Sequence, residues 1–230
     1  MWGNCYDEVM SFTKEHIIGM MKSTGMIPVF YHADIEVAKN VIDASYKGGV
    51  RVFEFTNRGE NAFEVFTQLL KHIEKYPDLI LGIGTILDAS TARKFINAGA
   101  HFIVSPILKI GMASFCQQLK TLWIPGCATL TEIVNAKEAG AEVIKLFPGS
   151  VLGPQFVSFV MPVIPGLQLM PTGGVEPTEK NLREWFDAGV VCVGMGSQLL
   201  KKEMISNNKW DQLQNEIANT LALIENIRRK

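Results

Sequence analysis

Short apolar runs alternate with amphipathic stretches from about residue 26 to residue 200, a pattern that predicts parallel βα units. Strands are expected near 26–31, 50–56, 79–84, 101–105, 122–127, 142–147, 167–171 and 190–194. Eight of them predict an α/β fold of the (β/α)8 TIM barrel type. Helix starts are marked by Asp34 before Ile35, Asp88 before Ala89, and Thr129-Leu130-Thr131-Glu132 as a capping box. Gly48, Gly99, Gly140 and Gly189 fall where helices should end. Asp7 to Ser23 and Trp210 to Ile227 read as an extra N-terminal helix and an extra C-terminal helix. No linker, low-complexity stretch or charge block divides the chain, so residues 1–230 are expected to form one domain, with the barrel spanning about 26–200.

An internal repeat sets the register. A small residue, a glycine and another small residue precede a strand four times: Gly48-Gly49-Val50, Ala98-Gly99-Ala100, Ala139-Gly140-Ala141 and Ala188-Gly189-Val190. Five residues after each central glycine stand Glu54, Val104, Lys145 and Gly194, on alternate strands. Alternate strands supply the side chains of one interior layer of such a barrel. This register therefore points Glu54 and Lys145 inward from opposite sides near the C-terminal face, with Gly194 leaving room between them.

Those two residues carry the chemistry. Lys145 sits in the apolar run Val143-Ile144-Lys145-Leu146-Phe147, and Glu54 in Val52-Phe53-Glu54-Phe55-Thr56. Burial disfavours the ammonium form, which makes such a lysine a candidate amine nucleophile for carbonyl substrates. The plainer alternative ends the strand at Lys145 and lets the amine snorkel to solvent. For Glu54 the plainer alternative is a structural ion pair with Lys145, which usually costs more in desolvation than an apolar pair. On the catalytic reading, Lys145 forms an imine with a ketone and Glu54 moves the protons. Arg58, just past the second strand, is placed to fork onto a substrate carboxylate, or simply to be solvated. Thr85 ends Gly82-Ile83-Gly84-Thr85 either at the site or as a cap. Pro171-Thr172-Gly173-Gly174-Val175 and Gly194-Met195-Gly196-Ser197 follow the last two strands; glycine loops there, leading into a helix N-terminus, form the usual barrel phosphate site.

The composition, 47% hydrophobic and 20% charged, is that of an ordinary globular protein. A net charge of -1 gives no electrostatic reason for nucleic acid or an anionic membrane as partner. Cys5, Cys116, Cys127 and Cys192 lack metal spacing and fit reduced thiols in the cytoplasm. His16, His32, His72 and His101 form no metal motif, so no metal is expected. No basic leader with an apolar stretch opens the chain, and no apolar run is long enough to span a bilayer.

Seven blocks in order resemble the class I aldolases that cleave 2-keto-3-deoxy-6-phosphogluconate (KDPG) and often 4-hydroxy-2-oxoglutarate. They are Gly49 through Thr56 with Arg58, Gly82 through Leu87, Ser105-Pro106, Pro125 through Thr129 with Thr131-Glu132, Lys145 through Pro148, Pro171 through Val175, and Gly194 through Ser197. The resemblance implies Lys145 as the Schiff-base lysine and Glu54 as general acid/base. It implies Arg58 and Thr85 at the pyruvyl carboxylate, Pro106 and Phe147 lining the site, Thr172 near the substrate, and Gly173, Gly174 and Ser197 at the phosphate. It further implies a phosphorylated keto-acid substrate, pyruvate as product, and a cytoplasmic homotrimer that needs neither metal nor cofactor. Phe30-Tyr31-His32-Ala33-Asp34 lacks the arginine of the related 2-keto-3-deoxy-6-phosphogalactonate aldolases, and Arg58 tilts the choice toward the gluconate type. Other readings of the residues are an isomerase or synthase using Lys145 as a base, and a non-catalytic binder of phosphorylated metabolites.

Overall fold

All eight expected strands are present, one of them interrupted. In residues 12–229, which the computed structural model describes, the strands are β1 (Met26–Phe30), β2 (Val52–Thr56), β3 (Ile80–Gly84), β4 (Phe102–Val104), β5 (Leu122–Ile124), β6 (Gly126–Cys127), β7 (Ile144–Leu146), β8 (Leu169–Pro171) and β9 (Val193–Met195). The helices between them are α2 (Ile35–Lys47), α3 (Ala62–His72), α4 (Ala89–Ala98), α5 (Ile110–Gln118), α6 (Leu130–Glu138), α7 (Gly149–Val160) and α8 (Glu179–Asp187). Helix α1 (Lys14–Thr24) precedes the strands, and α9 (Lys202–Ser206) and α10 (Trp210–Arg228) follow.

Every strand pair is parallel. The strands form a six-stranded sheet in the order β5-β4-β3-β2-β1-β9 and a three-stranded sheet in the order β6-β7-β8. The expected strand 122–127 is divided at Pro125, which has no N–H to give to a ladder. Its halves serve different sheets: β5 pairs with β4, and β6 with β7. The Pro125 carbonyl accepts the Lys145 N–H at 2.8 Å. At the other seam an isolated bridge joins Thr172 to Gly194.

The caps follow the local chemistry. Asp34 and Asp88 accept backbone N–H bonds at the starts of α2 and α4, and Thr129 with Glu132 closes a full capping box on α6. Gly99, Gly140 and Gly189 take the left-handed conformation after α4, α6 and α8, whereas at the end of α2 that role falls to Gly49 rather than Gly48.

Side chains divide by strand parity. Val52, Ile80, Phe102, Val104, Leu122, Ile124, Val143, Met170 and Cys192 form an inner cluster with Ile17, Ile18 and Met21 of α1. Phe53, Phe55, Leu81, Ile83, Ile103, Leu146 and Leu169 face an outer cluster shared with the helices. Period-two alternation across a parallel sheet produces this division. Helix α1 thus contributes to the inner core; the part of its expected span before residue 12, like Cys5, lies outside the described residues. Helix α10 buries Leu213, Ile217, Thr220, Ile224 and Ile227, a helical stripe packed on α2 and α8.

Candidate active site

Strand β2 places Glu54 on the inner face, because its neighbours Phe53 and Phe55 belong to the outer core. Strand β7 does the same for Lys145 between Ile144 and Leu146. The two side chains meet: Lys145 Nζ lies 3.5 Å from Glu54 Oε1. Both are buried, with Glu54 1% and Lys145 5% exposed. The lysine therefore does not snorkel to solvent. At 3.5 Å the contact is longer than a well-formed hydrogen bond, and Glu54 Oε2 has no partner among the described residues. A pair serving stability alone needs all its polar valences satisfied, so this one retains capacity to act on another molecule.

Two glycines make room for different side chains, Gly84 for Glu54 and Gly194 for Thr172. A side chain on Gly84 would meet the Glu54 carboxylate, so the glycine lets that group lean across β3. Gly194 does not separate Lys145 from Glu54. A side chain there would meet Thr172 instead, with its Cβ at 3.2 Å, because the bridge between Thr172 and Gly194 brings these backbones together. Thr172 is buried and its hydroxyl has no partner among the described residues.

A cavity of about 380 Å³ is lined by Arg58, Phe147, Thr172, Gly173, Gly174, Gly194 and Ser197 among others, and stops short of the Lys145–Glu54 pair, which does not line it. Phe147 connects the two, its ring centroid 5.5 Å from Lys145 Nζ. Arg58 is exposed and makes no salt bridge among the described residues. Gly173 and Gly174 are both left-handed, with φ of 87° and 79°, a sequence of backbone turns that favours anion-binding concavities. The carbonyls of Thr172 and Gly173 accept the N–H groups of Gly149 and Ser150 at 2.8 and 2.7 Å, which occupies the acceptors of this loop. The expected helix N-terminus after Gly194-Met195-Gly196-Ser197 is absent. Leu199 and Leu200 N–H both bond to Gly196 O, giving a single turn, and α9 begins only at Lys202 with five residues.

Thr85 and Pro106 do not line this cavity. Thr85 sits directly after β3 at φ 63°, a left-handed conformation that a β-branched residue adopts only under strain. Pro106 follows β4 and packs its backbone over Gly126. Cys127 in β6 is no competitor to Lys145 as nucleophile, since burial pushes its thiol up to about 12.

Tyr31 and Thr56, to which no sequence motif assigns a role, also belong to the site. Tyr31 lines the same cavity and is anchored by its hydroxyl, which donates to Asn61 Oδ1 at 2.8 Å. Thr56 shares the inner face with Glu54. Its signal is simple period-two spacing from a buried acid, while that of Tyr31 is its position just past β1, at the end where loops gather.

The family model "Aldolase: KDPG and KHG aldolase" matches residues 17–216. The chain is 27% identical over 217 residues to the 2-dehydro-3-deoxy-phosphogluconate aldolase of Haemophilus influenzae, covering 94% of this chain and 100% of that protein. It is 34% identical over 131 residues to the 2-dehydro-3-deoxy-6-phosphogalactonate aldolase of Escherichia coli, covering 56% and 63% of the two chains. Its structure is similar to that of KDPG aldolase from Legionella pneumophila with pyruvate captured as a covalent carbinolamine intermediate. That likeness has a TM-score of 0.81 at 26% identity and covers 89% of this chain and 97% of the other.

Proposed function

Because this chain belongs to the KDPG and KHG aldolase family, whose model spans residues 17–216, we propose that it is a class I aldolase acting through a Schiff base. It cleaves 2-dehydro-3-deoxy-6-phosphogluconate to pyruvate and glyceraldehyde 3-phosphate, and 4-hydroxy-2-oxoglutarate to pyruvate and glyoxylate. The observation that carries this reading is the buried Lys145–Glu54 contact, connected through Phe147 to a cavity walled by Arg58 and two glycine loops.

Neutral Lys145 Nζ attacks the C2 ketone, and loss of water from the carbinolamine leaves a protonated imine. Glu54, directly or through a water, takes the proton of the C4 hydroxyl. The C3–C4 electron pair moves into the imine to give an enamine of pyruvate, and glyceraldehyde 3-phosphate leaves as the aldehyde. Protonation at C3 and hydrolysis release pyruvate and regenerate the amine. Arg58 and Thr85 hold the keto-acid carboxylate, Pro106 and Phe147 wall the reacting carbons, and Thr172 contacts the chain beyond them. Gly173, Gly174, Gly194 and Ser197 cradle the phosphate through backbone N–H groups.

A galactonate-configured substrate is the second reading, favoured by the 34% identity over 131 residues to the Escherichia coli phosphogalactonate aldolase. The finer architecture belongs to the same proposal: residues 1–230 as one closed (β/α)8 barrel domain, with α1 and α10 added before and after. The seams at Pro125 and at the Thr172–Gly194 bridge support closure. We further assign a cytoplasmic homotrimer. Leu87 and Ile107, on the loops after β3 and β4, and Ile110 and Leu130, which open α5 and α6, are exposed, apolar side chains suited to a second copy.

The deciding experiment incubates wild type and Lys145→Met with pyruvate and borohydride, then measures intact and peptide masses. One reduced pyruvyl adduct on Lys145, absent from the variant, is expected. No adduct on folded wild-type protein would overturn the Schiff-base mechanism.

A further inference from the structure

Thr56 occupies the inner face of β2 two residues beyond Glu54, is 1% exposed, and its hydroxyl has no partner among the described residues. Its register partner on β3 is Gly84. The Glu54 carboxylate leans into the space that a side chain on Gly84 would fill. The Thr56 hydroxyl and the Glu54 carboxylate therefore stand at the same level of the sheet, although their residues are two apart. Of the two carboxylate oxygens, Oε1 faces Lys145 Nζ and Oε2 is unpartnered.

A buried hydroxyl without a partner is unfavourable, and valine has nearly the same shape with no polar group to satisfy. Threonine at this position stands against the stability of the strand, which points to something that uses the hydroxyl. One water meets the requirements of both orphan atoms: it accepts from Thr56 Oγ1 and donates to Glu54 Oε2, with a hydrogen and a lone pair left for the substrate.

We propose that Thr56 is a positioning residue that, together with Glu54 Oε2, holds the water through which protons reach and leave the Lys145 adduct. The inference rests on the Schiff-base reading above. In the step concerned, a C3–H bond of the pyruvate imine breaks and its electron pair becomes the C2–C3 double bond. The imine π pair returns to the Lys145 nitrogen, and the proton passes through the water to the Glu54 carboxylate. Reversal of the step restores the imine.

The test follows exchange of pyruvate methyl protons in deuterium oxide by NMR, alongside borohydride trapping, in wild type, Thr56→Val and Thr56→Ser. Thr56→Val should still give the Lys145 adduct but exchange at least tenfold more slowly, with kcat falling more than KM rises. Thr56→Ser, which keeps the hydroxyl, should restore most of the rate. Thr56→Ala provides the same comparison if the valine variant does not fold. Exchange at the wild-type rate in the hydroxyl-free variant overturns the role of Thr56 and leaves the aldolase reading intact. Failure of wild type itself to form an adduct overturns that reading instead.

Discussion

The carboxylate of Glu54 fills the space beside β3 that any side chain on Gly84 would require, with its Cδ 2.7 Å from where a Cβ would stand. The glycine is thus part of the placement of the acid, and through it of the 3.5 Å contact with Lys145. Gly84→Ala should push the carboxylate out of that position while leaving Lys145 on its own strand. Misplacement of a catalytic group by about 1 Å costs on the order of 10²-fold, so cleavage followed with coupled lactate dehydrogenase should fall by about that factor. Pyruvate should still be trapped on Lys145 by borohydride. Wild-type turnover in Gly84→Ala would mean that the carboxylate works from somewhere else.

Glu54→Gln tests the acid more directly. The amide keeps the shape of the side chain but cannot take a proton from the C4 hydroxyl. Turnover should drop by roughly 10²–10⁴-fold, the usual contribution of a general acid or base. A variant that cleaves substrate at the wild-type rate removes Glu54 from the mechanism.

The phosphate cradle predicts a loss that depends on the substrate. Gly174 has φ of 79° and lies against Ser150, whose Cα would be 3.0 Å from an added Cβ. Gly174→Ala should distort the loop and raise KM for the phosphorylated substrate by about tenfold, equivalent to about 1.4 kcal/mol of binding. 4-Hydroxy-2-oxoglutarate has no phosphate, and its KM should change much less. Equal losses for both substrates would place the phosphate elsewhere.

The strands and most helix caps are legible in the sequence because they depend on local rules. Asp34, Asp88 and the Thr129–Glu132 box act within one turn of their own backbone. The approach of Lys145 to Glu54, 91 residues away, is legible because a spacing repeated from a turn glycine encodes the layer of an inward position. What neighbouring backbones do across strands is not encoded that way. The roles of Gly84 and Gly194, one clearing space for Glu54 and the other for Thr172, depend on side chains of adjacent segments. The break at Pro125 falls between two pairing partners that no local pattern names. The helix expected after Gly196 is a single turn because Leu199 and Leu200 turn back into the core there.

His101 predicts how stability responds to acid, away from the site. Its Nδ1 accepts the Leu81 N–H at 2.9 Å, and the Phe12 ring meets it edge-on at 4.9 Å between centroids. Burial lowers its pKa from 6.5 to about 4, and protonating Nδ1 would also break the bond from Leu81. The folded protein therefore binds this proton less readily than the unfolded chain does. Above pH 6.5 neither state is protonated and the residue adds no pH dependence. As pH falls from 6.5 toward about 4 the unfolded chain gains a proton that the folded one refuses. Stability should decline across that window by up to about 3 kcal/mol from this group alone. His101→Gln retains an acceptor and cannot titrate. In urea unfolding at pH 7 and pH 4.5, the variant should lose less stability between the two conditions than wild type. Equal losses would mean that His101 takes its proton as easily in the folded protein as in the unfolded chain.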